Sequence, residues 1–331
     1  MIANLFCIAS GNFYLHLCTV KFNKTPGNMD RKNFIKKTLL GAAGMAAGSS
    51  LLQAENAAPE KSTYDKLMAD VPKGQAPTEQ VGFNHLPNNE IRTMKTVLHK
   101  ANTRGHANHG WLDSHHTFSF ANYYNPERVH FGVLRVLNDD RVAPGKGFGT
   151  HPHDNMEIIS IPLEGDLEHK DSMGNTAVIR QGDVQVMSAG TGIYHSEFNK
   201  NTDKEVKFLQ IWVFPNKRGV KPRYDQITLN NKDLKNQLFQ ILSPSPDDEG
   251  VWIHQDAWFH LGNFEKGNKT TYQVKRNGNG VYAFVLDGDV TIEGQALNKR
   301  DGFGIWDTDK ITITADSNAR ILLMDVPMNV S

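Results

Sequence analysis

The sequence predicts an all-β protein, and two of its features indicate this fold class. Short apolar runs alternate with turn residues through most of the second half of the chain, and glycine is frequent, with 28 residues in 331. Both features are typical of β structure. The length is sufficient for two domains of ordinary size, each with its own hydrophobic core.

The balance of charged side chains argues against a nucleic-acid partner. Lysine and arginine together number 36, as do aspartate and glutamate, so the formal net charge is zero. A protein that neutralises phosphates needs a basic surplus, and this chain has none. The two cysteines, Cys7 and Cys18, precede Met29. A mature chain that begins later has no thiol, which excludes thiolate nucleophiles, cysteine-based zinc sites and disulfides.

Residues 1–54 are predicted to be upstream sequence followed by an export signal, with the true start at Met29. A basic run, a weakly apolar stretch over Thr38–Leu52 and a small-residue site follow Met29, in the order of a signal peptide. The apolar stretch is too short for a stable membrane span. The basic run resembles a twin-arginine signal with Lys32 in place of the second arginine, which predicts a periplasmic protein. An ordinary secretory signal and a basic amphipathic helix are the alternatives.

The next stretch, residues 55–90, is polar and contains proline and lysine. Such a composition predicts a linker or an arm that lies on the surface.

His151 and His153 form the strongest local pattern of metal-ligand type. Side chains two positions apart in a strand project from one face, so both imidazoles can point into a barrel interior. The glycines at every second position from Gly145 predict a turn before this strand. Pro152 predicts an edge or irregular strand, because its nitrogen cannot donate a hydrogen bond.

His195 and Glu197 form a second pattern about forty residues later, after a glycine-rich turn. Their spacing again places both side chains on one strand face. A lone histidine is more often a surface residue or a hydrogen-bonded core residue. Two such pairs together, however, offer three imidazoles and one carboxylate to a single ion in a β-barrel.

This ligand set suits Fe(II), Mn, Ni, Cu or Zn, and the coordination position it leaves open is typical of a catalytic site. Glu157 is a second carboxylate near the pattern, four residues beyond His153. It shares the face of His153 only if the strand stays regular. We therefore interpret Glu157 as a residue that supports the ligands or the fold, not as a ligand.

Several longer motifs resemble those of the pirin family, which belongs to the cupin superfamily. The most specific are GHANHGWLD at 105–113, HTFSFANYY at 116–124, GFGTHPH at 147–153 and MSAGTG at 187–192. The resemblance extends from about His99 to Val330. It implies two tandem cupin barrels, which are double-stranded β-helices of jelly-roll type: a metal-binding domain at 91–225 and a second domain at 226–331. The second lacks His-x-His spacing, so we predict that it is metal-free.

The resemblance also implies the chemistry of the site. In the family, the positions of His151, His153, His195 and Glu197 bind an iron-like metal, which ranks Glu197 above Glu157 as the carboxylate ligand. The implied activity is a dioxygenase that opens flavonol-type, quercetin-like substrates with O2, using one divalent metal, Fe(II) first and Mn, Ni, Cu or Zn as alternatives. Glu197 would be its general base.

Two alternatives stay open at this point. One is a non-catalytic, metal- or redox-responsive binding protein of the same family. The other is an oxygenase for a different phenolic or enol substrate. For the enzyme we expect a small phenolic substrate and O2 as partners, no nucleic acid, and a monomeric state.

Overall fold

The computed structural model describes residues 93–330. These residues form two barrels, each made of a seven-stranded and a four-stranded sheet. This arrangement confirms the prediction of an all-β protein with tandem barrels. The predictions for residues 1–54 and 55–90 lie outside the described residues and stay predictions. Within the described part, no helix is long and apolar enough to cross a bilayer.

The described chain begins with strand β1 (Lys95–His99) and one 3-10 turn (Ala101–Thr103). The first barrel then follows with β2 (Gly105–Asn108), β3 (Leu112–His116), β4 (Leu134–Val142), β5 (Gly147–His153), β6 (Glu157–Glu164), β7 (Asp166–Asp171), β8 (Thr176–Arg180), β9 (Asp183–Ser188), β10 (Ile193–Asn199), β11 (Val206–Val213) and β12 (Arg223–Thr228). Its sheets have the strand orders β12-β9-β6-β11-β4-β3-β2 and β5-β10-β7-β8.

The second barrel repeats this design. Its strands are β13 (Phe239–Ser243), β14 (Val251–Trp252), β15 (Trp258–Phe264), β16 (Lys269–Gln273), β17 (Asn279–Asp287), β18 (Val290–Ile292), β19 (Gln295–Leu297), β20 (Gly302–Trp306), β21 (Lys310–Ala315) and β22 (Ala319–Pro327). The sheet orders are β1-β20-β17-β22-β15-β13-β14 and β16-β21-β18-β19.

Strand β1 lies in the sheet of the second barrel, where it pairs antiparallel with β20. It nevertheless falls inside the range 91–225 that was predicted for the first domain. Strand β12 pairs with β9 of the first barrel and runs past the predicted boundary at residue 225. Such pairing depends on long-range hydrogen bonds, which the order of motifs along the chain does not reveal. The wider division at 225/226 stays a prediction.

Burial patterns along the strands distinguish the two kinds of sheet. In β6, six consecutive residues from Glu157 are buried, whereas buried and more exposed positions alternate along β10. A sheet covered on both faces needs nearly continuous apolar strands, and a sheet with one wet face needs alternation. The seven-stranded sheets are therefore the inner layers of the protein and the four-stranded sheets are the outer ones.

The largest apolar cluster packs the two seven-stranded sheets against each other, with Ile159 and Ile211 from the first barrel and Phe259 and Met324 from the second. Each barrel interior holds a cluster of its own. The second interior contains sixteen buried apolar residues, and the first contains five. The first interior thus keeps room for polar side chains.

Candidate metal centre

Strand β5 carries His151 and His153 and forms one edge of the outer sheet of the first barrel. The edge position predicted from Pro152 is confirmed. The prediction that all three glycines form a turn before the strand is wrong, because β5 already begins at Gly147. A Cβ atom at Gly147 would lie 2.2 Å from the carbonyl oxygen of Glu197. Glycine is needed there for close strand approach, not for turning.

Strand β10 carries His195 and Glu197, and its pairing with β5 brings the two ligand patterns together. His195 stands directly opposite His151 in the antiparallel register. The register with β5 then shifts between His195 and Glu197, while the pairing of β10 with β7 on its other side stays regular. Both side chains therefore face the interior, and each is 2% exposed.

The three histidines converge as the sequence predicts. One ligand nitrogen from each of His151, His153 and His195 lies within 4.8 Å of the other two. Their ring centroids are 4.4 to 4.9 Å apart. Nδ1 of His151 donates a hydrogen bond of 2.7 Å to the carbonyl of Gly149, which leaves its Nε2 free to bind an ion.

The electrostatics of the cluster fit a divalent metal. Nδ1 of His153 and both ring nitrogens of His195 are buried without a hydrogen-bond partner. Burial, reinforced by the neighbouring histidines, lowers the pKa of His153 to about 2 and that of His195 to about 3. Unpaired buried polar atoms destabilise a fold unless a ligand satisfies them. Neutral imidazoles are the form that binds a metal, so these residues fit one.

Glu197 has its carboxylate held on both oxygens. The hydroxyl of Ser160 donates to Oε1 at 2.9 Å, and the amide of Gln210 donates to Oε2 at 2.7 Å. Glu197 lines the same cavity as His151 and His153. Among the described residues, the group whose ligand atoms lie within 4.8 Å of one another contains the three histidines without this carboxylate.

Glu157 lies elsewhere. Strand β5 ends at His153, Asn155 turns the chain with a φ of 44°, and Glu157 opens the new strand β6. Within β6 it is three positions from Ser160, so the two side chains face opposite sides of the sheet. Its Oε2 accepts a 2.6 Å hydrogen bond from the hydroxyl of Ser188, and the carboxyl also accepts a backbone hydrogen bond from His254, which precedes β15 of the second barrel. The structure therefore does not bring Glu157 to the histidines.

A cavity of about 280 Å³ opens beside the histidine cluster. Its walls include the aromatic rings of Phe120, Phe148 and Trp212, and the ring of Trp212 packs edge-on against His153 at 4.9 Å. An aromatic cavity with a few convergent polar groups is the usual form of a small-molecule site.

Asp140 is a cavity residue that sequence reasoning missed. It is 3% exposed and accepts a hydrogen bond from the hydroxyl of Ser114. Burial raises the pKa of Asp140 to about 7, with smaller contributions from the charges of Asp139 and Glu197. Gln210 and Ser160 were missed as well. Ser160 and Gln210 each interrupt an apolar run, and this signal could have identified them, because such residues need a buried partner. Asp140 follows Asn138 and Asp139 in β4, so no such signal distinguishes it.

A second group of possible ligands, His106, Asp113 and His115, lies on the hairpin of β2 and β3. Its side chains are 33% to 50% exposed. The imidazoles of His106 and His115 stack on each other at 4.5 Å. This group lacks the buried, unpartnered nitrogens of the interior cluster.

Comparison with known proteins agrees with this geometry. Residues 97–213 match the pirin family model, and residues 240–326 match the model described as quercetinase C-terminal cupin domain. A quercetin 2,3-dioxygenase of Escherichia coli K12 is 47% identical over 230 residues, which cover 70% of this chain and 98% of the relative. The chain belongs to the pirin family.

A further relative and a solved structure support this assignment. A pirin-like protein of Caulobacter vibrioides is 40% identical over 222 residues, covering 67% of this chain and 95% of that protein. The crystal structure of a bacterial pirin from Escherichia coli in complex with nickel(II) superposes with a TM-score of 0.67 and 44% identity. The match spans 71% of this pirin and all of the nickel-bound one.

Proposed function

We propose that this pirin is a metal-dependent dioxygenase that opens flavonol-type substrates such as quercetin with O2. The observation that carries the proposal is the convergence of three imidazoles, those of His153 and His195 buried, beside an aromatic cavity that Glu197 also lines. The Escherichia coli relative named quercetin 2,3-dioxygenase supports the choice of substrate class.

His151, His153 and His195 would hold one divalent ion, with Glu197 as the fourth ligand. We propose Fe(II), with Mn, Ni, Cu and Zn as alternatives that the same donor set accommodates. A metal in a relative, the nickel(II) complex of a bacterial pirin, supports a single-ion site. A bound ion would supply Lewis acidity and an open position for substrate oxygens.

Glu197 is the residue that we assign to the proton of the substrate hydroxyl. Hydrogen bonds from Ser160 and Gln210 hold its two oxygens, so the carboxylate keeps one orientation towards the cavity. Fixed orientation is the first requirement for a general base. Burial raises the pKa of Asp140 to about 7, so this second carboxyl of the cavity is protonated below that pH.

The aromatic walls bind and orient the substrate. Phe120, Phe148 and Trp212 present flat apolar surfaces to a planar ring system. Burial of a ligand between such surfaces is favourable because it removes apolar area from water. The same walls exclude water from the reacting atoms, which strengthens the electrostatic effect of Glu197.

The test is aerobic incubation of the metal-loaded protein with quercetin. Turnover would appear as loss of flavonol absorbance together with consumption of O2 and release of carbon monoxide. His153→Ala should remove this activity, whereas His260→Ala, in the second barrel, should retain it. Absence of turnover with Fe, Mn, Ni and Cu would contradict the quercetinase proposal. Metal and quercetin binding without turnover would instead favour the non-catalytic alternative.

A further inference from the structure

A second cavity lies between the two barrels, apart from the histidine cluster. Its volume is about 730 Å³, and both barrels contribute to its walls. Three of its lining side chains are acidic, namely Asp139, Glu164 and Asp287. Six are cationic, namely Arg104, Arg141, Lys207, Lys299, Arg300 and Arg320. The cleft therefore has a surplus of positive charge in a protein whose overall charge is zero.

Lysines at the rim of the cleft neutralise two of the three acids. Lys207 lies 2.6 Å from Glu164, and Lys299 lies 2.8 Å from Asp287. These side chains are exposed by 32% or more, so solvent screens both pairs and each contributes little to stability. Neither Glu164 nor Asp287 forms an ion pair with an arginine of the cleft; each pairs with its lysine.

The third acid, Asp139, is shared by two arginines. Its Oδ2 lies 2.9 Å from Nε of Arg300 and 3.4 Å from Nη1 of Arg104. The Arg104 side chain is 5% exposed and that of Asp139 is 12% exposed. One carboxylate thus balances two guanidinium groups, which come from different barrels. The inner cleft keeps a net positive charge.

Arg320 adds a third guanidinium that forms no ion pair, although Asp287 stands opposite it in the pairing of β17 with β22. Among residues 93–330 it forms no ion pair or side-chain hydrogen bond, and its Nε is buried without a partner. Burial lowers the pKa of Arg320, the charge of Arg300 lowers it further, and the charge of Asp287 opposes both without restoring the usual value. A partly desolvated cation without a hydrogen-bonded partner is unfavourable. An anion in the cleft would remove this cost.

We propose that the cleft binds a small molecule with two or more oxyanion groups, phosphate or carboxylate, through Arg104, Arg300 and Arg320. The planar fork of arginine matches both groups in bidentate geometry. A multivalent anion is required because the cationic lining residues outnumber the acidic ones by three. The volume lies within the range of pockets that accept small organic ligands, which favours such a ligand over a simple inorganic ion.

The binding test uses calorimetry on the metal-loaded full chain at constant ionic strength. Fructose 1,6-bisphosphate probes phosphate groups, tricarballylate probes carboxylates, and sulfate measures the background. We expect one or both multivalent probes to bind with one site per chain and at least about tenfold more tightly than sulfate. The probe that binds identifies the oxyanion. Equal affinity for sulfate, or no binding of either probe, would overturn the proposal.

Matched charge variants test the assignment of residues. Arg320→Gln should weaken probe binding by about tenfold or more, and Arg320→Lys, which keeps the charge but loses the fork, by less. Lys299→Gln removes one positive charge from the rim and should change affinity by less than about threefold. Equal losses of affinity in Arg320→Gln and Lys299→Gln would mean that the probe responds only to the total positive charge of the cleft, which would contradict a specific site at Arg320.

A gain of affinity provides a test that loss of folding cannot imitate. Asp139→Asn removes the carboxylate that Arg104 and Arg300 share, so both guanidinium groups become available to the probe. We expect tighter binding in this variant. Unchanged or weaker binding by a folded Asp139→Asn protein would contradict the proposed ligand set. Circular dichroism and metal content verify folding in every variant.

Discussion

The side-chain amide of Gln210 donates a 2.7 Å hydrogen bond to Oε2 of Glu197, and both residues are buried inside the first barrel. Gln210 lies on β11 and Glu197 on β10, which belong to different sheets. The inner sheet therefore orients a functional carboxylate on the outer sheet. Together with Ser160, Gln210 leaves the carboxylate no free rotation.

Gln210→Leu should lower quercetin turnover by about tenfold to a hundredfold, the usual loss when a partner of a metal-site residue is removed. The measurement is kcat and KM with metal content determined in parallel. Gln240→Leu is the control, because Gln240 also donates one hydrogen bond but lies in the second barrel. Full activity of Gln210→Leu at normal metal content would show that Glu197 needs no support from the inner sheet.

His153→Ala should reduce bound metal to a small fraction of the wild-type content. The physical reason is the loss of one of three converging imidazoles. His260→Ala is a matched control, since His153 and His260 are each 5% exposed and each has an unpartnered Nδ1. Elemental analysis after gel filtration measures the content. Equal metal loss in both variants would contradict the assignment of the site.

Asp140 should make metal affinity depend on pH near neutrality. Burial raises the pKa of Asp140 to about 7, and a nearby cation favours the ionised carboxyl. Metal binding therefore releases this proton, and affinity should increase as the pH rises through about 7. In Asp140→Asn the increase should be smaller than in wild type, by about tenfold per pH unit at most, because the share due to this carboxyl is lost.

Competition titrations with a chromophoric chelator, at pH values on both sides of 7, measure this dependence. The ligands His153 and His195 have a pKa of about 2 and about 3, so their own protonation does not contribute in this range. The same slope in wild type and Asp140→Asn would exclude Asp140 as the source.

Glu157 should contribute a pH dependence of stability. Burial raises its pKa from 4.5 to about 7, so the folded state holds a proton that the unfolded chain has released. The contribution of this group to the free energy of unfolding is complete below pH 4.5 and is lost as the pH rises to about 7. Relative to wild type, Glu157→Gln should gain up to about 3 kcal/mol across this window.

Urea unfolding of metal-free wild type and metal-free Glu157→Gln at several pH values measures the difference between their free energies of unfolding. Buried histidines act in the opposite direction: burial lowers the pKa of His260 to about 3, so its contribution is lost as the pH falls below 6.5. Both proteins share that effect, and the comparison removes it. A difference that does not vary with pH would mean that Glu157 is ionised in the folded state.

Much of the site was predictable from the chain because its signals are local. The alternation of side chains along a strand placed His151 and His153 on one face, and His195 and Glu197 on another. Pro152 indicated the edge strand for an equally local reason, its missing donor. The resemblance to pirins predicted a fold of two barrels, and the strand topology confirms it.

Other features depended on contacts between distant parts of the chain. Glu157 is four residues from His153, but a turn between β5 and β6 interrupts the alternation and sends its carboxyl to the opposite face. Strand β1 precedes the first barrel in the chain but pairs with β20 in the sheet of the second barrel. Neither event follows from spacing, since each depends on which strands pair across the fold.

The sequence by itself determined the chemistry of this pirin: three imidazoles and a carboxylate in two strand patterns, with no thiol among the described residues. Only the tertiary structure decided how these groups are used. It set His151 opposite His195, placed Ser160 and Gln210 behind Glu197, and joined two barrels around a cleft rich in arginine. The physical reason is that side-chain type and alternation are local properties, whereas burial, pairing and charge balance arise from the closure of the sheets.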